Sequence, residues 1–206
     1  MKKLLLFLPL LSLLIASSCS DEANLRTSVF VPDDEYPDLP AYTEWGYNSF
    51  GAYWEREIFR FIDYKIPAKM INTGGRTSFV LYGSKSTYGY YHYDYRDMDE
   101  MSLSFDFYSF DPQVYTDLIW LNDLTIDLAG PTIAVRAKID SVDYDLDILS
   151  GKIVFRRAQN LYVDKELYEV ILSGTFEFQA LVEGEPVSVS LGRFDIGMTG
   201  DNFYRY

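Results

Sequence analysis

The stretch from Met101 to Tyr108 constrains the fold most, because apolar and polar residues alternate along it. Successive side chains of a β-strand point to opposite faces, so Met101, Leu103, Phe105 and Phe107 line one side while Ser102, Ser104, Asp106 and Tyr108 meet water. The same texture recurs at residues 50–53, 58–62, 77–82, 88–95, 125–128, 133–139, 142–148, 152–156, 168–180, 187–191 and 194–198, with Gly, Asp, Asn and Pro between. About ten short antiparallel strands joined by tight turns predict an all-β domain, either an antiparallel β-sandwich or a lipocalin-like barrel. Asp111-Pro112, a capping residue followed by proline, predicts one short helix over residues 114–120. The stretch from residue 45 to 206 has the length of a single domain.

The N-terminus carries a different signal. Met1-Lys2-Lys3 precedes an apolar run from Leu4 to Ala16 and the small residues Ser17 and Ser18, the three parts of a secretory signal peptide over residues 1–18. The run is shorter than the roughly 20 apolar residues that a membrane span needs. Cys19 is the only cysteine, so no intramolecular disulfide is available, and a free thiol would be a liability after export. Ala16-Ser17-Ser18-Cys19 resembles the lipobox of bacterial lipoproteins, with Ala where Leu is usual. The resemblance implies acylation of Cys19, with palmitate-type chains that contribute about 0.8 kcal/mol per buried CH₂. Ser20-Asp21-Glu22 is similar to the signal that sends Bacteroidetes lipoproteins to the outer face of the outer membrane, which implies a cell-surface location.

Residues 19–44 are polar, acidic and broken by Pro32, Pro37 and Pro40. Proline removes donors and like charges repel, so the stretch reads as a lipidated cysteine followed by a flexible acidic tether. Val29-Phe30-Val31 supplies the alternative, an edge segment folded back on the sheet. Cleavage after residue 18 removes two of the 18 basic residues and leaves 16 against 31 acidic ones, a net charge of −15. Such a surface repels phosphate backbones and excludes nucleic acid as a natural partner.

Two passages carry a family resemblance. Asn48-Ser49-Phe50-Gly51-Ala52-Tyr53 is followed by Ile58-Phe59, and Ser173-Gly174-Thr175-Phe176-Glu177-Phe178-Gln179-Ala180 is followed by Gly184, Val187 and Gly192-Arg193-Phe194-Asp195. Both resemble the opening and closing motifs of a family of Bacteroidetes outer-membrane lipoproteins without an assigned activity. Trp54-Glu55-Arg56-Glu57 stands where that family has a Val-Asn-Gly type of turn. In the closing motif, alternation buries Phe176, Phe178 and Ala180, turns the chain at Glu183-Gly184, and returns Val187, Val189 and Leu191 to the buried face. Gly192 then permits a bulge. The motif reads as a device for core and register.

Candidate sites are few. Asp140, Asp143, Asp145 and Asp147 suggest a hard cation, but the calcium-loop template fails, with Ile148 at its sixth position and Val154 at its twelfth. A hairpin turning at Asp140-Ser141 accounts for the ladder better. It places Lys138 opposite Asp143 and Arg136 opposite Asp145 as cross-strand ion pairs, and puts Val135, Ala137, Ile139, Val142, Tyr144 and Leu146 on the buried face. No metal or cofactor is therefore expected. Within residues 88–95, alternation places Tyr88, Tyr90, His92 and Asp94 on one face, a strip suited to sugars or peptides. Tyrosine's suitability for half-buried strands is the plainer account of the strip. His92 is the only histidine, and neither a Gly-x-Ser-x-Gly nor a His-Glu-x-x-His motif occurs, so no catalytic residue is assigned. The expectation is a non-catalytic surface lipoprotein whose β-domain binds a glycan, a peptide or a partner protein. An envelope-assembly component is the alternative, and a carboxylate-dependent glycoside hydrolase is a second.

Overall fold

The computed structural model describes residues 27–61, 63, 65–86 and 99–206. The chain is all-β. Its strands are β1 (Ser49–Trp54), β2 (Glu57–Arg60), β3 (Ala68–Asn72), β4 (Thr77–Ser86), β5 (Asp99–Phe107), β6 (Leu124–Asp127), β7 (Ile133–Ile139), β8 (Val142–Val163), β9 (Glu166–Val182), β10 (Glu185–Met198) and β11 (Phe203–Arg205). Hydrogen bonding runs β4–β2–β1–β10–β9–β8–β7–β5, and β5 pairs back onto β4. The alternatives of sandwich and barrel thus resolve into a closed ring of eight antiparallel strands. Closure leaves these strands no continuous free edge. At two places a second strand extends a ring position: β3 continues β2 along β4, and β6 precedes β7 along β8. The terminal β11 lies parallel to β3.

Turn chemistry fixes the long hairpins. Asp140-Ser141, Asp164-Lys165 and Glu183-Gly184 each place both residues at positive φ, the type I′ form whose twist matches that of paired strands. The expected turn at Glu183-Gly184 is therefore present, as is the pairing of Lys138 with Asp143 and of Arg136 with Asp145. The first hairpin also forms, with Glu55 at positive φ and Trp54 opposite Glu57.

An eight-stranded barrel has an interior just wide enough to be filled by side chains. Phenylalanine fills this one. Phe50, Phe59, Phe79, Phe105, Phe155, Phe176 and Phe194 are each exposed by 2 % or less. Their rings meet across the interior from strands that are not neighbours. Phe79 of β4 lies 5.9 Å from Phe155 of β8 and 5.2 Å from Phe194 of β10, and Phe105 of β5 lies 5.4 Å from Phe176 of β9. These tilted and edge-on contacts suit the ring quadrupole, and they occupy the place where a lipocalin would hold a ligand. Any binding site must therefore be sought on the outside.

Several expectations need correction. The stretches 142–148 and 152–156 form the single strand β8, kinked where its register shifts between Ile148 and Ser150. Likewise, 187–191 and 194–198 are one strand, β10, and its bulge centres on Leu191 at positive φ rather than on Gly192. Gly192 serves packing instead, since a Cβ there would strike the backbone oxygen and ring of Phe176. Leu191 and Val142 are consequently exposed, one thrown outward by the bulge and the other at a hairpin end. The helix is a 3₁₀ turn over Tyr115–Leu121, and the two amides just before it are met by Asp117, which accepts from Gln113 N at 2.7 Å and Val114 N at 3.2 Å. Asp111, the expected cap, instead accepts from Asn72 Nδ2 at 2.7 Å.

Arg136 faces Asp145 in register but turns to Asp106 of β5, with Nε 2.6 Å from Oδ2. Asp106 is only 1 % exposed. Burial pushes its carboxyl up, but hydrogen bonds from Arg136, Ser78 and Ser104 together outweigh this and hold it below the usual carboxylate range. A depressed folded value means that the stabilisation is complete above the unfolded pKa and is lost as pH falls through the folded one. Arg136→Met is therefore expected to move the acid-unfolding midpoint to higher pH, as followed by circular dichroism on stepwise acidification. An unmoved midpoint would show that Ser78 and Ser104 suffice.

Candidate functional site

The N-terminal stretch is not a free tether over the residues that can be described. From Thr27 to Tyr47 it lies on the barrel as a strap, folded on itself by Asp33 N to Leu39 O (3.0 Å) and Ala41 N to Val31 O (2.7 Å), with Pro32 bridged to Pro40. Leu39 is fully buried. Composition misled here because Asp33 and Glu44 of the strap pair with Arg193 and Arg157 of the barrel, and its prolines shape the fold-back rather than keeping the chain extended.

The partners come from the two motifs. Strand alternation turns Phe194 inward and should leave Arg193 and Asp195 in water, yet Asp195 is 1 % exposed because the strap covers it. Its carboxylate accepts from Thr43 Oγ1 (2.5 Å), Trp45 N (3.0 Å), Gly46 N (2.9 Å), Tyr47 N (3.2 Å) and Ser173 Oγ (3.0 Å). Arg193 Nη1 reaches Asp33 Oδ2 at 2.6 Å and Pro40 O at 3.4 Å. Burial raises the Asp33 carboxyl, but the amides of Tyr36 and Glu35 and the Arg193 charge bring it below the usual range. Gly51 of β1, opposite Arg193, lacks a Cβ that would lie 2.5 Å from Pro40 Cδ. The glycine of the opening motif and the Arg and Asp of the closing one thus seat the same strap. Arg60 adds a fastening through Nη1 to Asp38 O at 2.7 Å.

The strap forms one wall of a groove over the outer face of β8, β9 and β10. Three confluent hollows make it up. One of about 470 Å³ is lined by Tyr42, Lys152, Arg156, Thr175, Glu177 and Arg193. The next, about 420 Å³, lies among Tyr42, Thr43, Glu44, Trp45, Arg157 and Gln159. The third, about 520 Å³, continues past Glu44, Arg156 and Arg157 to Ile119, Asn122 and Asn160. Trp45 is 72 % exposed, while its backbone N–H is held by Asp195. A large aromatic surface therefore stands in solvent on an anchored backbone.

The polar side chains of the groove are pre-arranged. Glu44 takes Tyr42 Oη at 2.9 Å on one carboxylate oxygen and Arg157 Nη1 at 3.0 Å on the other. Arg157 Nε donates to Gln159 Oε1 at 2.7 Å, and Gln159 Nε2 donates to Glu44 O at 3.2 Å. Burial, then the hydrogen bond and charge of Glu44, push the Tyr42 phenol well above its usual value, so it stays a donor at any physiological pH. Buried Asn160 Oδ1 at the far end has no hydrogen-bond partner.

Arg156 and Arg157 are both exposed between buried Phe155 and Ala158. The register of β8 against β9 shifts there, so Arg156 is the extra residue of a β-bulge, a device that re-aims side chains. The doublet, which breaks the alternation of an acidic chain, was the readable signal. The aromatic pair Tyr42 and Trp45, just inside and just beyond the supposed tether, was a second. The strip Tyr88, Tyr90, His92 and Asp94 and the acylation site Cys19 lie outside the described residues. A separate hollow of about 410 Å³ over β4, β5 and β7 includes Tyr82, Ser84, Glu100 and Ser102, near the two ends of the segment that contains the strip. Among the described residues no group of three His, Cys, Asp or Glu side chains could hold a metal ion. Neither a protein-family model, nor a curated protein, nor a solved structure matches this chain.

Proposed function

We propose that this chain is a lipoprotein, acylated at Cys19 and carried on the outer face of the outer membrane, whose barrel is a non-catalytic module that binds a glycan along the groove. The observation that carries the binding role is Trp45, a largely exposed indole on an anchored backbone beside the network of Glu44, Arg157 and Gln159. Aromatic faces with convergent planar hydrogen-bonding groups fit the apolar face and hydroxyl rim of a sugar. A peptide would ordinarily add to a free strand edge, and the floor of this groove is the face of β8, β9 and β10, of which β9 is paired on both sides.

Trp45→Ala tests the reading. On a glycan array, the full-length chain is expected to bind at least one glycan class, and the variant to lose that binding by about tenfold or more, the scale of one aromatic contact. Unfolding should move by no more than about 0.5 kcal/mol, because the indole is exposed and the backbone bond to Asp195 remains. Wild-type chain that binds no glycan would overturn the reading. An envelope-assembly role draws its support from Val114, Ile119 and Trp120, exposed on and beside the 3₁₀ turn. Capture of an envelope protein that is lost in Trp120→Ala and kept in Trp45→Ala would favour it.

A further inference from the structure

We infer that the glycan held in this groove is an acidic one, and that Arg156 takes the carboxylate of a uronic acid residue while Tyr42 and Trp45 lie against the sugar rings. The inference rests on the glycan-binding reading and names the class of ligand within it.

The argument begins with charge. The chain carries a formal net charge of −13, so most of its surface repels anions, whereas this groove gathers Lys152, Arg156, Arg157 and Arg193. Three of the four cations are already paired. Lys152 meets Glu177 at 3.2 Å, Arg157 meets Glu44 at 3.0 Å and Arg193 meets Asp33 at 2.6 Å. Arg156 has no carboxylate within 4 Å among the described residues. Its guanidinium instead stands 5.9 Å from the centroid of the Tyr42 ring.

That placement comes from the fold. Alternation alone would aim one residue outward between Phe155 and Ala158, and the bulge aims two, which adds Arg156 to the groove beside an Arg157 already committed to Glu44. The Tyr42 ring is itself fixed through its hydroxyl on Glu44. A guanidinium is a planar fork that matches a carboxylate with two parallel hydrogen bonds, and lying near an aromatic face limits the freedom it must lose on binding. The charge of the ligand group follows from the neighbours. Glu44 and Glu177 border the same space, so a dianionic phosphate would be repelled where one carboxylate balances the one unpaired guanidinium.

The test compares each sugar with itself. Oligosaccharides of galacturonic, glucuronic and mannuronic acid, each as the free acid and as its methyl ester, are titrated calorimetrically into the full-length chain at one ionic strength, beside neutral, sulfated and acidic-peptide panels. At least one free acid is expected to bind about tenfold or more tighter than its ester, the scale of a charge-assisted hydrogen-bond pair. In Arg156→Gln that ratio should fall to about one while ester binding persists, and Arg156→Lys should recover only some of it, since an ammonium lacks the fork. Equal affinity for acid and ester, or a preference that survives Arg156→Gln, would overturn the inference and leave the glycan reading standing. Binding of sulfated sugars alone would do the same. If no sugar binds in any form, or only the acidic peptides do, both fall.

Discussion

Asp195→Ala is expected to lower the melting temperature by roughly 10 °C, at about 2–4 °C per kcal/mol for a chain of this size. The variant removes one carboxylate and strands five donors, three of them strap amides, of which that of Gly46 is buried. Unpaired buried polar groups cost about 1–3 kcal/mol each where water cannot enter, and partial opening of the strap will relieve some of that cost. A net loss of about 3–5 kcal/mol follows, the scale of removing one member of a buried charged network. The strap should loosen before the barrel does. Hydrogen exchange at Trp45, Gly46 and Tyr47 should accelerate well beyond exchange in β8 and β9, and a uniform acceleration, or a melting temperature within about 2 °C of the parent, would contradict this account.

Phe194→Ala is the second large effect, and it is expected to cost about 3–5 kcal/mol in denaturant unfolding. Its ring lies 5.2 Å from that of Phe79, 5.5 Å from Phe155 and 6.5 Å from Phe176, so it ties β10 to β4 and β8 across the barrel and to the neighbouring β9. Truncation leaves a cavity that a ring of hydrogen-bonded strands cannot collapse to fill, because moving one strand inward breaks register with both neighbours. Phe194→Leu should recover much of the loss, and it separates packing from any effect on Arg193 and Asp195 beside it. A loss below about 1 kcal/mol would mean that the closed ring, rather than its filling, supplies the stability.

How much of this was legible depended on whether a residue's role was local. The alternation from Met101 to Phe107 and from Ile133 to Ile139 determined two strands to within two residues, and Asp140-Ser141 fixed the register between β7 and β8. Strands β3 and β11 escaped notice because Lys69 and Asn72 interrupt the apolar pattern of one and the other is three residues long. Ring closure was illegible, since β4 and β5 pair with each other as any hairpin would and nothing local says that β10 will meet β1. The strap was hidden for the same reason. Asp33 and Arg193 are far apart in sequence, and an acidic, proline-broken stretch has the composition of a tether whether or not a partner waits for it. The groove inherited that blindness, because one wall is the strap and the other is a bulge that appears in sequence only as two adjacent arginines.

The strap also decides how the molecule carries a load. Tension applied at the N-terminal end meets the bond of Val29 N to Tyr47 O first, then the short fold-back at Pro32 and Pro40 with the pair of Asp33 and Arg193, and only afterwards the four bonds that hold the strap on Asp195. These fastenings lie in series, so they give way in turn at modest force, and each adds slack that dissipates the pull. The eight ring strands are engaged in parallel and feel nothing until the series is spent. The strap, residues 27–47, is therefore the part of the described chain that yields first to such a pull, ahead of a barrel whose packing would not survive being opened.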